Sequence, residues 1–228
     1  MDYKKIKYIL FDVGNVLVYK RTHEDENVAR LLNLSRFEYR ELLDKIIEEQ
    51  TDDEKMQFKN INTVEKEYEY LQSFHTKICK VLNIEPRPEL IEKMTECRMK
   101  GDFDLKDGVI DTLTRLSSQY SLGILSNALP SRRVHELKIK NLDSFFKHIF
   151  ISKEIGLSKP DPKIYEYVLR EINLKPDEIL FIDDKLEYLK GAEKAGFKNL
   201  IMFKNEEEPD GYPLIQDIGE LIGILDVK

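Results

Sequence analysis

Tyr8-Ile-Leu-Phe-Asp-Val-Gly-Asn-Val-Leu-Val18 decides how the chain is read. An apolar run ends abruptly in Asp12, Gly14 and Asn15 break it, and it resumes with Val16, Leu17 and Val18. Short apolar runs bounded by Gly and Asn predict buried strands, so a strand is expected over residues 6–12 with Asp12 at its carboxyl end. In open α/β sheets, ligands bind outside the carboxyl ends of the strands, which makes an acid delivered there a candidate for chemistry. Alone, the same Asp could simply start a turn. The rest of the chain has to decide between the two.

Working outward, residues 19–26 are polar and read as a connection. Residues 27–98 show helical patterns and no convincing strand. Val28, Leu31 and Leu32 form one stripe, and Phe37, Leu42, Leu43, Ile46 and Ile47 a second. Ser35 stands three residues before Glu38, as in a capping box. Thr63 precedes a long stripe from Val64 through Tyr68, Leu71, Phe74 and Ile78 to Leu82. Pro86 and Pro88 open another helix, from Leu90 to about Met99. This is too much helix for a simple crossover, so 19–98 reads as an inserted helical subdomain and 1–18 with 99–228 as the domain that carries it. The tyrosines and phenylalanines of residues 58–74 either pack between helices or line a pocket in that insert.

Beyond it, strands and helices alternate. Gly108–Ser117 reads as a helix. Ser121-Leu-Gly-Ile-Leu-Ser126 is a strand ending in a hydroxyl, with the amide of Asn127 next. Residues 131–140 read as a basic helix with an ordinary solvated face. His148–Ser152 is a strand that leads to Gly156-Leu-Ser-Lys159-Pro-Asp-Pro162, and 163–172 is a helix. Ile179–Ile182 is a strand ending in Asp183-Asp184, and a helix follows to about Gly196. Asn199–Phe203 is a further strand, 206–210 an acidic loop and 214–225 a closing helix. Alternation of this kind predicts βαβ units, a parallel sheet and an α/β fold.

Composition narrows the function. The chain has 228 residues and a formal net charge of −7, which opposes a general nucleic-acid surface. Its two cysteines, Cys79 and Cys97, have no metal-ligand spacing. The opening Met1-Asp-Tyr-Lys-Lys-Ile6 carries no apolar signal segment, and no run of about 18 apolar residues occurs. A cytoplasmic protein without a membrane span is expected.

Asp12, Ser126, Lys159 and the Asp183-Asp184 pair fall at or just past the ends of four apolar runs, which a parallel sheet would bring to one rim. Two like charges about 4 Å apart cost roughly 4 kcal/mol at an effective dielectric near 20. A divalent cation removes that cost, and hard oxygen ligands without His or Cys favour Mg²⁺. Acidic ligands, a Lys and a hydroxyl together suit phosphoryl transfer, with a carboxylate available as nucleophile.

Taken in order, Phe11-Asp12-Val13-Gly14-Asn15-Val16, Leu125-Ser126-Asn127, Ser158-Lys159-Pro160-Asp161-Pro162-Lys163-Ile164-Tyr165 and Phe181-Ile182-Asp183-Asp184, followed by Ala192 and Gly196, resemble the haloacid dehalogenase-like (HAD) hydrolase superfamily along the whole chain. The resemblance implies a three-layer, Rossmann-like parallel-sheet core with an inserted α-helical (C1-type) cap. It implies Asp12 as nucleophile and Mg²⁺ ligand, the Gly14 carbonyl and Asp184 as further ligands, and Asp183 in or around the metal's shell. Ser126, with Asn127, would hold the phosphoryl oxygens. Lys159 would neutralise Asp12 and the phosphoryl group, and Asn15 would lie against substrate. The function so implied is Mg²⁺-dependent removal of phosphate from a small phosphorylated metabolite through an aspartyl-phosphate. The Asp-x-Gly-Asn variant resembles a subgroup that includes sugar-phosphate phosphatases. The oligomeric state stays open between monomer and homodimer.

Two departures from the family pattern matter. The second Asp usual two residues after the nucleophile, a general acid and base, is here Gly14. The Asn or Asp usual in the fourth motif is here Tyr188. His23 is one alternative proton donor, and a surface loop position is its simpler reading. A catalytically weak or inactive relative that binds a phosphorylated ligand or a protein partner is therefore the alternative function.

Overall fold

The computed structural model describes residues 3–227 and divides into two units. In chain order its elements are β1 (Tyr8–Phe11), β2 (Val18–Thr22), α1 (Glu24–Leu31), α2 (Arg36–Glu48), α3 (Asp52–Lys59), α4 (Val64–Val81), α5 (Pro88–Lys100), β3 (Asp102–Leu105), α6 (Val109–Ser117) and β4 (Ser121–Ser126). There follow α7 (Ser131–Val134), β5 (His148–Ile151), α8 (Ser152–Ile155), α9 (Pro162–Ile172), β6 (Ile179–Asp183), α10 (Leu186–Lys194), β7 (Asn199–Phe203), β8 (Leu214–Ile215) and α11 (Glu220–Ile224).

The core unit takes the chain up to Tyr19, Asp104–Ala128 and the residues from Lys138 onward. Its six strands lie in the order β5-β4-β1-β6-β7-β8, every neighbouring pair parallel. Strand β1 is central, with Phe11 opposite Ile124 of β4 on one side and Ile182 of β6 on the other. Every residue of β1, β6 and β7 is buried, as expected for parallel strands covered on both faces. Tyr165 and Val168 of α9 and Leu189 and Ala192 of α10 pack with Leu10, Leu125 and Phe181 on one face. Gly123 serves a close approach: a Cβ there would lie 2.2 Å from the Tyr8 hydroxyl, which crosses β4 to reach His148 Nδ1 at 3.0 Å.

The helical unit comprises Lys20–Phe103 and Leu129–Leu137. Val28, Ala29, Tyr39, Ile46, Ile78, Cys79 and Met94 form its core. Ser35 with Glu38 and Thr51 with Glu54 make reciprocal capping boxes, and Thr63 caps α4. Both cysteines are free thiols.

The structure departs from the sequence reading in several places. Residues 18–22 form strand β2 rather than a connection, and β2 pairs with β3 in a separate two-stranded sheet; the unit boundaries fall inside both strands. In β2 the exposed Tyr19, Lys20 and Arg21 leave no apolar alternation, and β3 is only four residues long. Residues 131–140 are not one helix, because α7 ends at Val134 and left-handed Lys140 and Asn141 break the later turns. Its basic residues are tied down: Arg132 to Glu24, Lys138 to Asp143 and Lys140 to Asp104. Residues 129–137 belong to the helical unit because the Glu67 carboxylate, only 1% exposed, accepts from the Ser131 N–H at 2.8 Å and the Ser131 hydroxyl at 2.6 Å. The closing segment is β8 and the short α11, not one helix. Phe37 is 71% exposed rather than part of the packed stripe.

Candidate active site

The site is built where the central strands end. Asp12 follows the last residue of β1, Ser126 ends β4 and Asp183 ends β6. The parallel register therefore delivers a carboxylate, a hydroxyl and a second carboxylate to one rim, and Asp184 and Lys159 join them from the connections that follow β6 and α8. Asp12, Ser126, Lys159, Asp183 and Asp184 are all buried.

Lys159 is the hub. Its ammonium, with the side chain fully enclosed, donates to Asp12 Oδ1 at 2.7 Å and to Asp183 Oδ2 at 2.6 Å. The backbone around it is fixed twice. Asn127 Nδ2 donates to the Lys159 carbonyl at 2.8 Å while Asn127 Oδ1 accepts the Lys159 N–H at 2.9 Å. On the other side, a Cβ at Gly191 would sit 2.4 Å from the Pro160 carbonyl oxygen, so only glycine lets α10 press against this segment. The Tyr188 ring covers the ammonium at 4.7 Å and its hydroxyl accepts from Asn127 Nδ2 at 3.2 Å. Tyr165 in turn donates to the Tyr188 carbonyl at 2.6 Å.

Asp184 sits beside this network, its Oδ2 accepting from Asn15 Nδ2 at 3.0 Å. The left-handed backbone of Asn15, at φ 62°, closes the turn in which its N–H donates to the Val18 carbonyl at 2.8 Å. The Asn205 amide holds the Asp184 carbonyl from the opposite direction.

Electrostatics in this space are strained toward positive charge. Burial pushes the Lys159 ammonium down, but Asp12 and Asp183 outweigh it and hold its pKa above the ordinary value. Burial raises the Asp183 carboxyl, against the pull of Lys159, and Asp12 adds to the rise. Asp184 is raised for the same leading reason, although the Asn15 amide partly offsets it. One ammonium faces three carboxylates, and an oxygen from each of Asp12, Asp183 and Asp184 lies within 4.8 Å of the others. A hard divalent cation fits this donor set: all-oxygen, anionic and short of positive charge.

The expected site residues thus come together. Asn127, expected on the phosphoryl oxygens, directs its amide to the Lys159 backbone and to Tyr188. Asn15, expected against substrate, donates to Asp184. Tyr188, a departure from the Asn or Asp usual at its position, lies over Lys159. Gly14 is next to Asp12, and a Cβ placed on it would meet nothing nearer than Asp12 Oδ2 at 4.0 Å. His23 precedes α1 in the helical unit, where its carbonyl accepts the Glu26 and Asn27 N–H groups. Gly191 and Asn205 were missed. A glycine within a helical pattern and a polar loop residue carry no signal that separates them from ordinary positions.

Known proteins resemble this chain in sequence and fold. Residues 6–196 fit the family model of haloacid dehalogenase-like hydrolases, and the chain belongs to that family. Among curated relatives, the glyceraldehyde 3-phosphate phosphatase of Methanopyrus kandleri is 28% identical over 197 residues, covering 84% of this chain and 81% of its own. The HAD-hydrolase YfnB of Bacillus subtilis is 26% identical over 230 residues, covering 94% and 89%. Among solved structures, 2-haloacid dehalogenase of Pseudomonas syringae superposes with a TM-score of 0.68 at 18% identity, covering 97% of this chain and 98% of that one. A magnesium-bound structure of YfnB superposes with a TM-score of 0.63 at 24% identity, covering 97% and 99%. These likenesses carry the same Rossmann-like, helix-flanked parallel sheet. No helix among the described residues is long and apolar enough to cross a membrane.

Proposed function

We propose that this hydrolase is a phosphatase of small phosphorylated metabolites, with Asp12 as its nucleophile. The observation that carries the reading is the division of labour between the two Asp12 oxygens. Lys159 holds Oδ1 at 2.7 Å, while Oδ2 has no hydrogen-bond partner among the described residues. One oxygen is oriented and the other is left to attack phosphorus. The attack forms an O–P bond on Asp12 as the ester O–P bond breaks, and the alcohol leaves with the electron pair and takes a proton from water. Water then cleaves the aspartyl-phosphate, releasing inorganic phosphate and restoring the carboxylate.

Lys159 stays cationic and answers charge on the transferring group. The Ser126 hydroxyl, at the end of β4, is free to donate to a phosphoryl oxygen. Asp12, Asp183, Asp184 and the Gly14 carbonyl would hold Mg²⁺. When bound it supplies neutralisation of the carboxylates and of the phosphoryl oxygens. Magnesium in YfnB and the sugar-phosphate relatives support the assignments of cation and of a sugar phosphate as substrate.

Gly14 favours a second reading, binding of a phosphorylated ligand without efficient turnover. No side chain at residue 14 can protonate a leaving alcohol, and a positioned general acid is worth ~10²–10⁴-fold. A panel of phosphorylated metabolites and an aryl phosphate, assayed with Mg²⁺, separates the two. Turnover that disappears with chelator and with Asp12→Asn supports the phosphatase. No turnover of any ester, with a phosphate mimic still bound at Asp12, supports the binder.

A further inference from the structure

The segment between β7 and β8, with its run Glu206-Glu-Glu-Pro-Asp210, has the composition of a solvated acidic loop. In the structure it is a strap. Both ends are anchored: Phe203 is buried at the end of β7, and Tyr212 packs against the core cluster that includes Leu189 and Ala192. Between these anchors the strap is fastened along α10. Asp210 pairs with Lys190 at 2.6 Å, and the Tyr212 hydroxyl donates to Glu193 Oε2 at 2.8 Å.

Its leading end reaches the start of α10. Asn205 Nδ2 donates to the Asp184 carbonyl, and Glu207 Oε2 accepts the Leu186 N–H at 3.2 Å. Lys185, at the cap position of α10, makes no capping bond with its side chain, so Glu207 supplies the acceptor from 21 positions away. Asn205 Oδ1 accepts the Glu207 N–H at 2.6 Å, which ties the two gripping residues to each other. The strap therefore holds the chain on both sides of Lys185. Asp184 is oriented twice, its carboxylate by Asn15 at 3.0 Å and its peptide by Asn205. Stability is a poor reason for this arrangement. Lys190 and Asp210 are exposed, and such pairs add little. What the strap fixes is the placement of Asp184.

We propose that Asn205 is a positioning residue for the cation site: it holds the Asp184 backbone so that the carboxylate meets Mg²⁺ in a set direction, and Glu207 steadies Asn205. The inference rests on the reading of Asp184 as a cation ligand. Partners that orient metal ligands commonly contribute ~10–100-fold to affinity. Mg²⁺ demands near-octahedral oxygens, whereas Ca²⁺ accepts irregular shells of about six to eight. A loosened Asp184 therefore costs Mg²⁺ more than Ca²⁺. Simple attraction by the acidic loop would act on both cations alike and would follow charge.

The test is calorimetric titration of the full chain with magnesium chloride and with calcium chloride, without substrate, alongside melting curves in chelator. Asn205→Ala removes no charge. It weakens Mg²⁺ binding about tenfold and Ca²⁺ binding much less, while melting in chelator stays close to that of the parent. Glu207→Ala weakens Mg²⁺ by a smaller factor. Glu207→Gln, which keeps an oxygen for the Leu186 N–H, restores what Glu207→Ala loses. Equal loss of both cations in Asn205→Ala, a large fall in its melting temperature in chelator, or a loss in Glu207→Gln as great as in Glu207→Ala overturns the proposal. A parent that binds Mg²⁺ and an Asn205→Ala chain that binds it equally well overturn this inference alone. A parent that binds neither cation overturns it together with the cation reading.

Discussion

The two units handle charge in opposite ways. In the core unit, three carboxylates and one ammonium are sealed together and Lys159 is engaged on both sides. In the helical unit, guanidinium groups stand around open space and two of them lack acidic partners. The core site is a network whose members depend on one another, so a single loss spreads. In the helical cavity Arg36 and Arg40 have no such ties, so the loss of either stays local. That difference has consequences that can be measured.

The largest effect belongs to the hub. Lys159→Met leaves Asp12 and Asp183 buried beside each other without their cation. Breaking a buried pair in this way costs about 3–5 kcal/mol, so a marked fall in melting temperature is expected together with loss of turnover. Mg²⁺ recovers part of the melting temperature. A variant that melts like the parent in chelator would show that the network is not interdependent.

Next is Gly14→Asp. The space beside Asp12 admits a side chain, with nothing within 4 Å of a Cβ except Asp12 Oδ2. The new carboxyl should raise turnover of alkyl phosphates by ~10²-fold or more and change aryl phosphate hydrolysis much less. An equal change for both leaving groups would assign residue 14 some other duty.

The smallest effect is a pH dependence. Burial raises Asp183 and Asp184, and a bound cation requires both ionised. Apparent Mg²⁺ affinity therefore weakens as pH falls below about 8, to which burial pushes Asp183 up, well above the range in which an exposed carboxylate titrates. The linkage has a matching sign in the metal-free chain. Folded pKa values above the unfolded ones favour folding at low pH, and that contribution is lost as pH rises through the folded values. Calorimetric titration with Mg²⁺ across this range checks the first statement, and melting curves in chelator the second.

The same contrast explains what could be read from the chain. Strand ends are announced locally: an apolar run stops and a polar residue follows, as at Asp12, Ser126 and Asp183. Parallel topology then does the assembling, so the core rim was legible before any coordinates. The helical cavities were not. Which of the aromatic residues between Phe58 and Phe74 face a void depends on how several helices fail to fill space, and no spacing rule encodes that. Strand β2 was hidden because Tyr19, Lys20 and Arg21 lie exposed in succession without alternation, and β3, which does alternate, is only four residues long. Residues 129–137 were placed with the wrong unit because the carboxylate that claims Ser131 lies 64 positions away at Glu67.

Acid-quenched reaction of the chain with an aryl phosphate and Mg²⁺, followed by mass analysis of its peptides, reaches the central claim most directly. One phosphoryl group on the peptide that contains Asp12, lost on incubation before quenching and absent from Asp12→Asn, is the expected result. Phosphate release with no phosphorylated Asp12 at any quench time, or with the phosphoryl group on another residue, would contradict the account.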